Sequence, residues 1–435
     1  MKKTVVFAII LALLLSACGE SVPPPAPAST PSGPNVQVDW DVLEPEPEKL
    51  AERWYDDYTD TLIPSGEYGQ LVPYIGGESY SEIWGSSWFY GLATRDGVIV
   101  TDPVYLEVTA LDWYEPASHG REQGNALILR TAEPVETDPA DEWALGYDDF
   151  FGFAAIDGSW YTGQVYTDLV CQSELGALFF DLDGNLVMLS ADGGAELWRW
   201  SADEIPFEEL RPGMYYWDTV SSSGRYMIYT VWDGTTGDSY VTYVDMSDGS
   251  VLDGEPEDLD QGAAYDPETN RTRFEGGWYS ISGETLTLEM DSGETHSFAL
   301  GDGVDEYTYP DINGDRILIR TPGGNGESYI MTDLDGNVLL RSDKYINWLW
   351  QQYGDTPSLA TVSEYFSNED GTMGYNVFTV YDRAGEVLFK SQGAVSQFGD
   401  RLVVADETSY RLTDLEGNDL IRLTRMAGQD IPAEE

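Results

Sequence analysis

The sequence predicts an all-β fold made of repeated small sheets, and three observations predict it. First, one hairpin recurs along the chain: YIMTDLDGNVLLR at 329–341, FFDLDGNLVML from Phe179, YVDMSDGSVL from Tyr243, VYDRAGEVLF from Val380 and RLTDLEGNDLI from Arg411. Second, its turn glycines Gly249, Gly293, Gly336, Gly385 and Gly417 follow one another at 44, 43, 49 and 32 residues, with earlier counterparts at Gly97, Gly158 and Gly184. Several strands per unit of 40–45 residues is the period of propeller blades. Third, some strands are apolar at almost every position: Tyr226–Trp232, Ile317–Ile319 and Leu402–Ala405. A half-exposed sheet would alternate, so both faces of these strands must be covered, as in a blade held between two neighbours. The expectation is a β-propeller of about seven blades, within a range of six to eight. Stacked solenoids and paired sandwiches also cover faces, but the solenoid usually has a shorter period and sandwiches would not repeat at this one.

The unit at 315–341 shows the reading in detail. Arg316–Arg320, Tyr329–Asp333 and Val338–Arg341 are three expected strands, and Asp333–Asn337 turns the last two into a hairpin. Gly and Asn tolerate left-handed backbone in such turns. Asp181–Asn185 and Asp333–Asn337 share part of a calcium loop's composition, but neither has the distal bidentate Glu nor the alternating ligands. They read as turns. No cofactor is expected, and calcium is the one ion this leaves open.

The chain has 435 residues, 13% aromatic, with 78 Asp+Glu against 22 Lys+Arg and a formal charge of −56. Affinity for nucleic acid rests on neutralising phosphates with Lys and Arg, so no nucleic-acid partner is expected. A cationic ligand, a divalent ion, a neutral glycan or a protein remains open. The charge also keeps a protein soluble.

The N-terminal residues divide into segments. Lys2 and Lys3 precede the apolar run Val5–Leu15, which is shorter than the ~20 residues needed to span a bilayer. Leu15-Ser16-Ala17-Cys18 follows. This run resembles the lipobox of bacterial lipoproteins, which implies a signal peptide at 1–17, lipid attachment at Cys18, and a chain held to the membrane outside the cytoplasm, with the bilayer as its partner. The Pro-rich stretch 18–47 reads as a disordered tether. Residues 48–62 read as a short amphipathic helix, with Leu50, Trp54, Tyr58 and Leu62 four apart. The propeller is expected over 63–425, and 426–435 as an acidic tail. With Cys18 lipidated, Cys171 is left alone after Leu169-Val170 and reads as a small buried side chain.

Two stretches carry a further pattern. Tyr90-Gly91, Asp96-Gly97, Val98–Val100 and Pro103-Val104-Tyr105 form one copy; Phe151-Gly152, Asp157-Gly158 and Val165-Tyr166 form a second. These resemble the WG-type repeats of bacterial surface and exported proteins, with Tyr or Phe in place of the signature Trp and no Pro in the second copy's last motif. The resemblance covers about residues 85–170 and implies an extracytoplasmic binding or scaffolding role. Ser190–Gly194 with Trp198 resembles the Asp-box turn of sialidase propellers, a structural element.

Candidate sites follow from residue type. The pairs Trp84/Trp88, Trp198/Trp200 and Trp348/Trp350 either fill wedges between sheets or, exposed, form a stacking platform. The stretches Asp112–Asn125 and Glu133–Asp149 read as the longest irregular loops. They carry the ligand-binding candidates Trp113, Tyr114, Trp143 and Tyr147, with His119 and Arg121 beside them. His119 and His296, the two histidines, read as solvent-facing. No catalytic residue and no metal ligand stands out. The function expected is a membrane-anchored binding or interaction module, with a propeller-type glycan hydrolase or a structural part of an envelope assembly as alternatives.

Overall fold

The computed structural model describes residues 37–38, 63, 66, 68–81, 85–115, 120–134, 147–206, 220–232, 239–257, 259, 265–266, 268–300, 310–323, 326–349, 356–367, 374–406 and 408–425. The chain divides into units Met1–Gly33 and Pro34–Glu435, and every described residue belongs to the second. Cys18, the expected helix at 48–62 and the tail lie outside the described residues.

Among the described residues there is no helix, and 31 strands form seven sheets. The first sheet pairs β2 (Leu71–Ser81) with β3 (Gly85–Thr94). The second runs in chain order through β4 (Glu107–Glu115), β5 (Gly120–Pro134), β6 (Tyr147–Ala155), β7 (Tyr166–Ser173), β8 (Gly176–Asp181), β9 (Leu186–Ser190) and β10 (Glu196–Trp200). The third holds β11 (Val220–Ser223), β12 (Tyr226–Trp232), β13 (Ser239–Asp245) and β14 (Ser250–Leu252). The fourth holds β15 (Tyr265–Asp266), β16 (Arg271–Phe274), β17 (Gly277–Ser282), β18 (Thr285–Met290) and β19 (Thr295–Ala299). The fifth holds β20 (Pro310–Asn313), β21 (Arg316–Gly323), β22 (Gly326–Asp333) and β23 (Val338–Ser342). The sixth holds β24 (Ile346–Trp348), β25 (Ala360–Ser367), β26 (Gly374–Tyr381) and β27 (Val387–Gln392). The seventh holds β28 (Ala394–Phe398), β29 (Arg401–Ala405), β30 (Ser409–Asp414) and β31 (Asp419–Thr424). Within each sheet neighbouring strands are antiparallel. The exception is β1 (Gln37–Val38), which adds in parallel to β31 with Gln37 opposite Arg422 and Val38 opposite Leu423.

The all-apolar strands have a direct explanation. Alternate residues of a strand point to opposite faces, and here the two faces enter different cores. On β21, Ile317 and Ile319 pack with Leu286 and Leu288 of the fourth sheet, while Leu318 packs with Ile346 and Val362 of the sixth. On β29, Leu402 and Val404 join Leu349, Leu359 and Val380 of and beside the sixth sheet; Val403 and Ala405 join Leu71, Tyr74 and Leu92 of the first. The last sheet therefore shares a core with the first. Each such Leu, Ile or Val side chain taken from water contributes about 1.5–3 kcal/mol.

The same test divides the seven-stranded sheet. On β8, Ala177 and Phe179 pack with Leu111, Ile128 and Phe153 of β4–β6, whereas Leu178 and Phe180 pack with Met227 and Tyr229 of the third sheet. Strands β4–β6 thus lie against a face of β7–β9. The two halves are joined through the single register pair Phe151–Tyr166. This sheet is two packed layers joined at one rung.

Hairpin turns lock successive sheets. At Asp333 one carboxylate oxygen accepts the amides of Asp335 (3.0 Å) and Asn337 (2.8 Å), and the other accepts Asn337 Nδ2 (2.8 Å). Asp181 and Asp414 repeat this arrangement, and Asp382 repeats its backbone half. These oxygens are taken up by the turn itself, as the hairpin reading expects. The turn glycine then rests on the outer strand of the preceding sheet. A Cβ on Gly336 would strike the Phe298 ring, one on Gly385 the carbonyl of Leu339, and one on Gly249 the Trp198 indole at 2.8 Å. The first sheet repeats the contact with the last: a Cβ on Gly97 would lie 2.8 Å from the Leu420 carbonyl oxygen. Arg401 Nε donates to the Arg95 carbonyl at 2.7 Å across the same junction, and Arg95 pairs with Asp400.

These contacts separate two costs. Gly293 and Gly336 both have positive φ, 90° and 81°, but a Cβ on Gly293 meets nothing within 4 Å. Gly293→Ala is expected to lose about 1–2 kcal/mol for the left-handed backbone alone. Gly336→Ala is expected to lose about 1–3 kcal/mol more, from overpacking against Phe298. Urea unfolding of the two variants checks this; equal losses would remove the turn-to-sheet packing from the account.

Candidate functional site

Four neighbouring strands bring charged side chains together at one end of the seven-stranded sheet. Glu107 opens β4 and stands opposite Arg130 of β5. Asp149, near the start of β6, stands opposite Ala132. Arg130 serves both carboxylates: its Nε lies 3.1 Å from Glu107 Oε2, and its Nη1 donates to Asp149 Oδ2 at 3.3 Å. Asp168 follows on β7, opposite Phe180, with register shifts on either side of it. Such irregularities re-aim a side chain. Burial pushes the Asp168 carboxyl up to about 6; the Leu169 amide acts against this, and the charge of Asp149 adds to it. One arginine thus holds two carboxylates beside a third whose carboxyl is raised to about 6.

Beside this corner lies one buried side-chain amide. Gln164 is 2% exposed. Its Nε2 donates to the carbonyls of Leu129 (3.0 Å) and Phe150 (3.1 Å) and to Thr131 Oγ1 (3.1 Å), and its Oε1 accepts the Tyr161 hydroxyl at 2.8 Å. A Cβ on Gly152 would strike Gln164 Oε1, so the glycine of the Phe151-Gly152 pair clears space for that amide. Gly91 of the Tyr90-Gly91 pair does the same for the buried Tyr74 ring, which a Cβ would meet at 2.5 Å. The aromatic–glycine pairs noted in the sequence therefore serve packing beside, rather than inside, the charged corner.

The sequence-derived candidates fall elsewhere. Asp112–Glu115 and Gly120–Asn125 are paired strand, not loop, with 116–119 between them outside the described residues. Regular cross-strand pairing overrode the polar composition on which the loop reading rested. Trp113 is half-buried and packs on the core that contains Phe153 and Phe179. Tyr114 lies in β4 opposite Arg121, and Tyr147 opens β6 opposite Pro134; their side chains are outside the described residues, as are Trp143 and His119. The second stretch read as loop is also strand at both ends, Glu133–Pro134 and Tyr147–Asp149.

The described tryptophans of the three pairs are built into sheet junctions. Trp198 is 9% exposed and donates its indole N–H to the Met246 carbonyl of the next sheet at 2.7 Å, with Trp200 5.1 Å away ring to ring. Trp88 packs edge-on against Tyr410, and Trp348 packs on the core between the fifth and sixth sheets. Trp84 and Trp350 are outside the described residues. Exposed large rings are instead Tyr265, Tyr345, Tyr365 and Phe366. His296, read as solvent-facing, is half-buried, with Nδ1 3.1 Å from Asp335 Oδ1 of the neighbouring sheet's turn. Cys171 is buried as expected, and burial raises its thiol to about 12. Among the described residues no group of three or more His, Cys, Asp or Glu is placed to hold a metal ion.

No family model matches this sequence, and no curated protein matches it. Solved structures give distant likenesses. BamB from Moraxella catarrhalis is 11% identical, with 82% of this chain and 93% of that one covered and a TM-score of 0.23. Quinohemoprotein alcohol dehydrogenase from Comamonas testosteroni is 10% identical over 73% and 69%, with a TM-score of 0.26. TolB from Acinetobacter baumannii is 10% identical over 75% and 64%, with a TM-score of 0.22. At these values the likenesses carry no argument about this chain, and its function is argued from its own residues.

The raised carboxyl of Asp168 sets a testable sign. Its folded form binds a proton that the unfolded chain has lost between its ordinary value of 3.8 and about 6. Stability from this group therefore falls as pH rises through that window. Asp168→Asn is expected to stabilise the fold by on the order of 1–2 kcal/mol at pH 7.5 and to leave it nearly unchanged at pH 4. Thermal unfolding at the two pH values checks this, and a gain that is the same at both would contradict a buried, titrating carboxyl.

Proposed function

We propose that this chain is a lipid-anchored, extracytoplasmic β-propeller acting as a binding module, with the Glu107–Arg130–Asp149–Asp168 corner as its site. The observation that carries the binding reading is that corner: two carboxylates share one guanidinium with a third carboxyl beside them, leaving a net negative corner suited to a cationic group. The propeller reading is supported by the repeated turn contact, which runs from the first sheet to the last as it does between inner sheets. In this reading the two layers of the seven-stranded sheet count as separate blades, eight in all. The anchor is supported by the Leu15–Cys18 motif.

A second reading is favoured by one specific observation. A carboxyl protonated near pH 6 beside a carboxylate held by arginine is the division of labour used in glycoside hydrolysis. In that reading Asp168 is the acid and Asp149 the base or nucleophile.

A single set of measurements separates them. Calorimetric titration of a hexalysine probe is expected to show binding that weakens several-fold between pH 7.5 and pH 5, as Asp168 takes up its proton. Asp168→Asn is expected to bind weakly at both. Identical affinities for the two proteins would remove the corner from the function. A glycan panel read for released product tests the hydrolase, with turnover lost in Asp168→Asn deciding for it. Cys18→Ser is expected to leave the membrane fraction or remain unprocessed, and an unmodified mature N-terminus in the native chain would sink the anchor.

A further inference from the structure

The chain contains 11 asparagines, and one of them, Asn270, is followed by the Asn-x-Thr pattern: Asn270-Arg271-Thr272. Its acidic neighbour Glu268 stands two residues before it. The triplet alone is a short pattern that chance supplies. Its placement is what gives it content. Asn270 lies in the turn between β15 and β16, and Glu268, Thr269 and Asn270 are all exposed. Among the described residues it is the one non-glycine with positive φ, 54°, a conformation that Asn adopts more readily than most residues. Its Oδ1 accepts the Tyr265 hydroxyl at 2.7 Å. The amide oxygen is thereby engaged at the turn while the residue as a whole stays open to solvent.

We propose that Asn270 is an acceptor for an N-linked glycan. The reading rests on an extracytoplasmic location, since the glycan donor is presented there. The donor class is an oligosaccharide linked to a lipid through pyrophosphate. In the transfer, Asn270 Nδ2 forms a bond to the anomeric carbon, the bond from that carbon to the pyrophosphate oxygen breaks, and the lipid pyrophosphate leaves with the electron pair. The proton from Nδ2 passes to a carboxylate of the transferase. A transferase must also read the Thr272 hydroxyl and the acidic Glu268, which needs the segment drawn out of its sheet. The fold permits this: β15 has two residues, pairs with β16 only through Tyr265–Thr272 and Asp266–Arg271, and lies at the edge of the fourth sheet. A short edge strand opens at low free energy. A glycan here stands on an exposed turn, as an acceptor on the surface of an exported protein requires.

The test uses the full chain exported in a bacterial strain that carries an oligosaccharyltransferase and its lipid-linked donor. Intact mass and peptide mass spectrometry are expected to show one glycan on the peptide that contains Asn270. It is expected to be absent in Asn270→Gly, which suits the positive φ, and in Thr272→Val, which keeps the shape of the side chain; both variants are checked for an unchanged melting temperature. A glycan that persists in Asn270→Gly, or an exported wild-type chain unmodified at Asn270, overturns the proposal. Fractionation of the same cells shows whether the chain was exported. A chain found only in the cytoplasm counts against the location alone, and transfer to the purified folded chain by membranes bearing the transferase and donor then decides Asn270: a glycan there upholds it and none refutes it.

Discussion

Strands with two buried faces are the constraint on which the rest of this structure depends. On β8, β12, β21 and β29 successive apolar residues enter cores on opposite sides. A strand of that kind has no face it can leave in water, so each sheet that holds one requires cover on both sides. A linear stack would leave two terminal sheets with an uncovered apolar face. The shared core of the first and last sheets removes that cost. The hydrophobic term is non-directional, so burial alone would not set how the layers slide against one another. Gly97, Gly249, Gly336 and Gly385 supply that register, each seated against a strand of a neighbouring sheet where a Cβ has no room.

Much of this was legible in the residues. The apolar runs announced doubly covered strands, the D-x-x-G turns gave the spacing of the units, and the three strands expected at 316–341 appear with ends moved by at most a few residues. Less legible was the corner at Arg130. Its members are separated by 23, 19 and 19 residues along the chain, and only the pairing of β4 with β5, β6 and then β7 brings them together. In a chain with 78 acidic residues, composition cannot mark which two share an arginine or which third lies beside them. The one local signal was Asp168 itself, a charge inside a strand that ends in the buried Cys171 and Ser173. The stretch 112–125 misled for the opposite reason. Its Glu, Gln, Gly and Asn residues have the composition of a loop, yet backbone pairing between β4 and β5 does not depend on apolar side chains.

The carboxylates divide into two populations that act against each other. Burial opposes ionisation at Asp181, Asp245 and Asp333, but the amides and side chains of their own turns, with Arg199 or Arg225 at the first two, outweigh it and hold them below the ordinary carboxylate value. Their contribution to stability is present above that value and is lost as pH falls below it. At Asp168 and Asp311 burial wins, and both are raised. These two cost stability as pH rises above the ordinary value, the cost of Asp168 being complete past about 6. Self-repulsion at a formal charge of −56 works in the same direction, since it grows as carboxylates ionise. The turns need ionised aspartates, whereas Asp168 and Asp311 are relieved by protonation. For these groups together the favourable interval lies above the point where the turn aspartates take up protons and below the point where Asp168 has lost its own. Asp168, which titrates in that interval, can change its charge while the turns that hold the sheets together keep theirs.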